Sequence, residues 1–269
     1  MIDIKNPVQA RRRRGKGSAG GQGLILLYHR VCSLDSDPLL LCVSPGHFAE
    51  HLDILRRQYH PISLRELVDA IRDDAVPRDS VVVTFDDGYL DNLEQAKPLL
   101  ERFDIPATVF VASGYVGGQR EFWWDELDRL LLQAGDLPKS LRVRINGTVC
   151  EQFMGEDALD SAASLRKRRA WNVEQDDLSL REGLFRRLQT ELRTLDDACR
   201  QRVLSELITW AGTKPEPRGS HRAMSTDDLL ELTAGGLVEV GGHTVTHPVL
   251  STLRRSAQRD EIASGKTKL

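Results

Sequence analysis

Two short segments of the chain carry the residue types that could do chemistry. Asp86 and Asp87 directly follow the apolar run Val81–Phe85. Adjacent residues on an extended chain point to opposite sides, so one carboxylate can bind a cation while the other accepts a proton from water. Further along the chain, His243 and His247 are spaced so that both imidazoles reach one side of a turn or short helix.

Asp87, His243 and His247 together predict a metal site. One carboxylate oxygen and two imidazole nitrogens suit a divalent ion, Zn²⁺ above all, with positions left for water and substrate. Such an ion acidifies water and polarises a carbonyl, and Asp86 would then be the general base. The histidine pair alone would more simply indicate packed or surface side chains, because Thr244 stands where a metalloprotease helix has its glutamate. With the aspartates, the pattern predicts metal-assisted hydrolysis of an acyl group.

The surrounding elements must bring these two segments together. Apolar runs at residues 24–28, 81–85, 107–112 and 237–240 predict strands, and helical patterns separate most of them. Such alternation is typical of a parallel sheet with right-handed crossovers, in which the carboxyl ends of the strands share one rim. The sequence therefore predicts an α/β fold with both segments on that rim.

Local signals predict where the helices begin and end. Ser44 precedes a proline, and Ser225 precedes Asp228 at the capping-box spacing, so each predicts a helix N-terminus. Pro98 predicts an interruption of the helix over residues 91–103, because proline lacks the backbone donor.

Four regions follow along the chain. Residues 1–23 form a predicted disordered basic arm, and residues 24–118 form the first part of the α/β core. Residues 119–222 change in character and predict an inserted subdomain, mainly helical, with a hairpin at Asn146-Gly147. Residues 223–269 continue the core.

Composition excludes several classes of protein. The 269 residues carry a net charge of −3, which argues against nucleic acid as the main partner. No apolar run reaches bilayer length and no signal-peptide pattern is visible, so we expect no transmembrane segment. The four cysteines form no CxxC pair, which favours reduced thiols and a cytoplasmic location.

Thr84–Gly88 and His243–His247 resemble the first and second motifs of the polysaccharide deacetylase (NodB-homology) family of carbohydrate esterases. Leu27–Val31, Ile105–Phe110 and Phe122–Asp125 resemble the segments that surround them. The resemblance implies an irregular (β/α) barrel of a bacterial enzyme that removes N-acetyl groups from an amino-sugar glycan or its precursor with a divalent metal. It also implies Asp86 as general base and Asp87, His243 and His247 as metal ligands.

The resemblance stops after His247. The family continues with a Pro-x-Gly segment, an Asp-Trp segment and a late Leu-x-His that supplies the catalytic acid, and the residues after His247 match none of them. We therefore expect a truncated, incomplete barrel whose open edge favours self-association. Two alternatives to the glycan deacetylase stay open: a catalytically silent protein that binds metal and sugar, and a hydrolase of a small non-peptide amide.

Three further side chains near the motifs are candidates for a role in the site. His29 follows the first predicted strand and could support the site or replace the missing acid, although a hydrogen-bonded structural histidine is favoured. Trp123 and Trp124 could stack on a sugar ring, although core packing of at least one is favoured.

Overall fold

The computed structural model describes residues 21–117, 120–133, 135–214 and 216–269. The predicted basic arm lies outside the described residues up to residue 20. The described strands are β1 Gly23–Tyr28, β2 Arg30–Val31, β3 Cys42–Val43, β4 His60–Pro61, β5 Ser80–Phe85, β6 Ala107–Val111, β7 Ser140–Ile145, β8 Thr148–Phe153 and β9 Val238–Gly242. The described α-helices are α1 Pro45–Gln58, α2 Leu64–Arg72, α3 Lys97–Phe103, α4 Trp123–Leu127, α5 Ala162–Arg169, α6 Leu180–Leu192, α7 Asp197–Ala211, α8 Thr226–Thr233 and α9 Arg255–Lys268.

A parallel sheet positions the two motifs. Its order is β1-β5-β6-β9, and β4 pairs with the first two residues of β5. Every pairing in this sheet is parallel, so the segments after β5, β6 and β9 lie at one rim. All six residues of β5 are buried, as the run of β-branched side chains predicts for a strand covered on both faces.

The described part of the sheet is open. Strands β1 and β9 lie at its two ends and do not pair with each other, so the described residues form no closed barrel. Leu24, Ile25 and Leu27 on the edge strand β1 are about half exposed, at 46%, 52% and 56%. The predicted α/β class is confirmed, with an open parallel sheet.

The predicted helix starts are confirmed and the predicted break is wrong. The Ser44 hydroxyl accepts from the backbone of His47 at the start of α1, and Ser225 forms a capping box with Asp228 at α8. The segment from Asn92 to Ala96 is a π-helix that runs directly into α3, so the chain stays helical through Pro98. Pro98 lies in the first turn of α3, where a missing N–H is tolerated.

The residues between 120 and 222 contain the antiparallel hairpin β7–β8 and helices α4 to α7. The hairpin turns at Asn146-Gly147, and both residues have positive φ, as the predicted turn requires. Leucines of α6 and α7 pack in one cluster with Tyr89 and Ala112 of the sheet region. None of the described helices has the length and apolar character needed to cross a bilayer.

Candidate metal centre

Asp87, His243 and His247 converge at the rim. Their potential ligand atoms all lie within 4.8 Å of one another. Asp87 Oδ1 is 3.3 Å from His247 Nε2 and 3.8 Å from His243 Nε2. Asp86 Oδ2 lies 4.0 Å from His243 Nε2, so the predicted base borders the same group.

The turn after β5 separates the two aspartates. Asp87 has φ of 75° and Gly88 has φ of 88°, a left-handed turn that aspartate and glycine tolerate better than most residues. The Asp86 amide donates to the carbonyl of Tyr28 on β1, and the Asp87 carbonyl accepts from Ala112 beyond β6. Asp87 is thereby only 1% exposed, while Asp86 remains partly open to solvent.

Residues His243–His247, which we call the histidine loop, form no helix. Thr244 and His247 have positive φ, and the His243 amide donates to the Val111 carbonyl at the end of β6. The Ser113 and Gly114 amides donate to the loop carbonyls of residues 244 and 245. The end of β6 therefore holds the histidine loop against the aspartate turn.

Two side chains outside the motifs also hold the histidine loop. The Glu261 carboxylate on α9 accepts from the amides of Val245 and Thr246 and from the Thr246 hydroxyl, at 2.8–2.9 Å. The buried Arg200 on α7 donates to the Thr246 carbonyl at 3.3 Å and lies over the Trp123 ring. The loop is fixed from both sides.

Sequence reasoning missed both of these residues. Arg200 carried a usable signal, because it shares the helical spacing of Val203, Leu204 and Leu207, and a charge in an apolar stripe needs buried partners. Glu261 lies on the polar helix α9, and we find no signal in its surroundings that would have distinguished it.

Burial controls the charge of the three potential ligands. Burial and then the neighbouring His243 lower the pKa of His247 to about 3. The pKa of His243 is also lowered by burial, against the effect of Asp86. Burial and then the charge of Asp86 raise the pKa of Asp87 well above its ordinary value. The imidazoles are therefore neutral near pH 7, the form that binds a metal.

The residues fit a divalent cation. Asp87 Oδ1 is buried and makes no hydrogen bond to any described residue. The His243 and His247 imidazoles both lie beside carboxylates, with Nε2 of each within 3.8 Å of Asp87 Oδ1. An unsatisfied buried carboxylate oxygen is costly unless an ion or proton compensates it.

Aromatic side chains pack against the candidate site. The Trp124 ring contacts the His247 ring edge-on with centroids 4.9 Å apart, and its Nε1 donates to the Tyr89 hydroxyl. That hydroxyl donates to Asp125, whose pKa burial raises to about 7. Trp123 and Trp124 are 3% and 6% exposed, so the core packing favoured for at least one holds for both.

A cavity of about 450 Å³ opens onto the centre. Its described lining includes Asp87, His247, His29 and, from α6 and its end, Gln189 and Arg193. The His29 side chain makes no hydrogen bond to a described residue, and a structural role for it stays a prediction. Burial lowers the pKa of His29, and the charge of Asp86 opposes that effect.

Sequence comparisons find relatives of the segment that contains the aspartates. The family model described as polysaccharide deacetylase matches residues 73–135. YxkH of Bacillus subtilis (strain 168), whose name assigns it to the polysaccharide deacetylases, is 29% identical over 138 residues. Over the matched residues, the chain is similar to polysaccharide deacetylases. The region matched to YxkH is 50% of this chain and 48% of YxkH, so the chain matches about half the length of that relative.

Solved structures of deacetylases are also similar to this chain. The Streptococcus pyogenes deacetylase PplD, in complex with acetate, has a TM-score of 0.47 and 16% identity over 93% of this chain and 68% of its own. The polysaccharide deacetylase BC0361 of Bacillus cereus has a TM-score of 0.43 and 14% identity over 91% of this chain and 46% of its own.

Proposed function

We propose that this chain is a metal-dependent hydrolase that removes N-acetyl groups from an amino-sugar glycan, with Zn²⁺ as the favoured ion. One observation carries the proposal: a buried carboxylate oxygen without a hydrogen bond, Asp87 Oδ1, lies beside two neutral imidazoles. One carboxylate and two imidazoles form a donor set typical of catalytic zinc sites, which keep a position for water or substrate. The match of residues 73–135 to the polysaccharide deacetylase family model supports the acetylated glycan as substrate.

Asp87, His243 and His247 would hold the ion. When bound, the ion would lower the pKa of water and polarise the acetyl carbonyl. Asp86 borders the same group and remains partly exposed, so we assign it as the general base that takes a proton from the attacking water. The water oxygen bonds to the acetyl carbon, the C–N bond breaks, and acetate and the free amine are released.

The departing amine nitrogen needs a proton, and we propose His29 as the group that delivers it. His29 lines the same cavity as Asp87 and His247, and its ring has no hydrogen-bond partner among the described residues. Burial lowers the pKa of His29, and the negative charge of Asp86 offsets part of that effect. Replacement of His29 by glutamine is expected to slow acetate release while the affinity for Zn²⁺ is retained.

Acetate release from N-acetylglucosamine oligomers, measured with and without added Zn²⁺, tests the proposed reaction. Wild-type protein should release acetate only with the metal, and Asp86→Asn should reduce the rate at least about a hundredfold while still binding Zn²⁺. The exposed Asp69 on α2 supplies a control, because Asp69→Asn removes a carboxylate that belongs to neither motif and should leave the rate unchanged.

Either of two results would contradict this proposal and favour another function. Zn²⁺ binding without turnover on any acetylated sugar would favour the catalytically silent alternative. Hydrolysis of small cyclic or linear amides in the same substrate panel, with no acetate from the sugars, would favour the small-amide hydrolase.

A further inference from the structure

The cavity beside the metal centre has one wall from the segment between residues 120 and 222. Gln189 and Arg193 lie one helical turn apart at the end of α6, and both line the cavity together with Asp87 and His247. Residues at this spacing share a helix face, so the amide and the guanidinium can reach one bound group. The wall therefore adds polar recognition groups to a cavity whose opposite side holds the potential metal ligands.

Arg193 brings a charge that the described residues do not neutralise. Its side chain makes no hydrogen bond or ion pair with the described part of the chain, whereas Arg186 and Arg187 of the same helix pair with Asp177 and Glu191. Among the described lining residues, Arg193 is the one permanent cation, and the sole carboxylate is that of Asp87, which the metal would occupy. The wall is therefore complementary to a negative group on the substrate.

The chemistry of the guanidinium narrows the class of negative group. Its planar fork of donors matches carboxylate and phosphate oxygens, which it binds through two parallel hydrogen bonds. The rest of the lining includes Leu39, Leu41 and Pro248, which offer apolar surface for a sugar ring rather than further charge.

We propose that Arg193, with Gln189, selects an N-acetylated glycan that carries a carboxylate or phosphate near the acetylated amine. This inference rests on the proposed deacetylase function and adds the substrate class to it. A purely local role predicts something different: a basic residue at the end of a helix stabilises that helix through its dipole and leaves substrate preference unchanged.

Binding and turnover are measured in parallel so that the two proposals can fail separately. The Zn²⁺-loaded protein is titrated by calorimetry with three probes: an N-acetylglucosamine tetramer, an oligomer of equal length containing N-acetylmuramic acid, and N-acetylglucosamine 6-phosphate. Acetate release is recorded for each probe. The variants are Arg193→Gln, Arg193→Lys and the control Arg166→Gln, which removes an exposed cation of α5 that has no described partner and does not line the cavity.

Wild-type protein should bind at least one anionic probe about tenfold more tightly than the neutral tetramer, and the preference identifies carboxylate or phosphate as the source. Arg193→Gln should abolish that preference, Arg193→Lys should retain part of it, and Arg166→Gln should retain all of it. Raising the salt concentration should weaken the preference in wild type and in Arg166→Gln alike, and should have no such effect in Arg193→Gln.

Equal affinity of wild type for all three probes, or an unchanged preference in Arg193→Gln, would overturn the inference about Arg193. Anion-selective binding that depends on Arg193 without acetate release would instead count against the proposed hydrolase and leave the selectivity standing. Acetate release without anion-selective binding would count against the role of Arg193 and leave the proposed hydrolase standing.

Discussion

Replacement of Glu261 tests whether the histidine loop must be held in place for the metal ligands to converge. Its carboxylate accepts three hydrogen bonds from Val245 and Thr246, which lie between the two histidines. A hydrogen bond to a charged group contributes about 1.5–3 kcal/mol when buried, and Glu261 is only partly buried. We therefore expect Glu261→Ala to lower the free energy of unfolding by about 2–4 kcal/mol.

The same substitution should also weaken metal binding. Residues that orient metal ligands typically contribute 10- to 100-fold in affinity, so Glu261→Ala should weaken Zn²⁺ binding by about that factor. Glu261→Gln keeps a carbonyl oxygen for the two amides and can donate to the Thr246 hydroxyl, so its effect should be smaller. Zn²⁺ affinity is measured by competition with a chromophoric chelator, and unfolding is measured by urea titration.

Asp260 provides the matched control for Glu261. It is the preceding carboxylate on α9, it is exposed, and it forms no hydrogen bond through its side chain with the described residues. Asp260→Ala should leave both Zn²⁺ affinity and stability unchanged. Glu261→Ala that loses stability but binds Zn²⁺ as tightly as wild type would refute a positioning role for Glu261.

Three further substitutions test the packing around the centre. Gly114→Ala would place a methyl carbon 2.6 Å from a carbonyl oxygen of the histidine loop, so its Zn²⁺ affinity should fall. The methyl group of Gly46→Ala meets open space, so that variant should bind Zn²⁺ as wild type does. Equal Zn²⁺ affinities of the two variants would contradict this prediction. Arg200→Met removes the guanidinium that donates to three carbonyls and should lower the free energy of unfolding by about 3 kcal/mol in a urea titration, whereas the exposed Arg202→Met should change it little. Similar losses for the two variants would be inconsistent with the buried network. Burial lowers the pKa of His221 to about 2, so below pH 6.5 the folded state binds fewer protons than the unfolded state. The free energy of unfolding of wild type should therefore fall by about 1 kcal/mol between pH 7 and pH 5.5, and that of His221→Asn should not. Parallel pH curves for the two proteins would contradict this.

The regular part of the fold could be predicted because its signals are local. The β-branched run of β5, the serine caps of α1 and α8 and the Asn146-Gly147 turn each set their own backbone geometry. The two-residue strands β2 and β3 were not predicted, because two residues carry no periodicity and their pairing depends on distant contacts. The π-helix before Pro98 was also missed, because a sequence pattern does not distinguish an i→i−5 bond from a chain break.

The candidate site could likewise be predicted only in part. The residue types of Asp86, Asp87, His243 and His247 and the parallel order of the strands predicted a common rim, where the structure places all four side chains. The backbone that aims them depends on contacts made far along the chain, such as the carboxylate of Glu261 beneath the histidine loop. The roles of the four side chains as ligands and base stay predictions until metal binding is measured.

Zn²⁺ binding by wild type and by variants of the three potential ligands tests the central claim most directly. Competition with a chromophoric chelator should give one ion per wild-type chain, and Asp87→Ala, His243→Ala and His247→Ala should each weaken binding at least about a hundredfold. His47→Ala, which removes an exposed histidine of α1, should bind as wild type does. Wild-type protein that binds no Zn²⁺, or that binds it as tightly without Asp87 as with it, would contradict the metal centre.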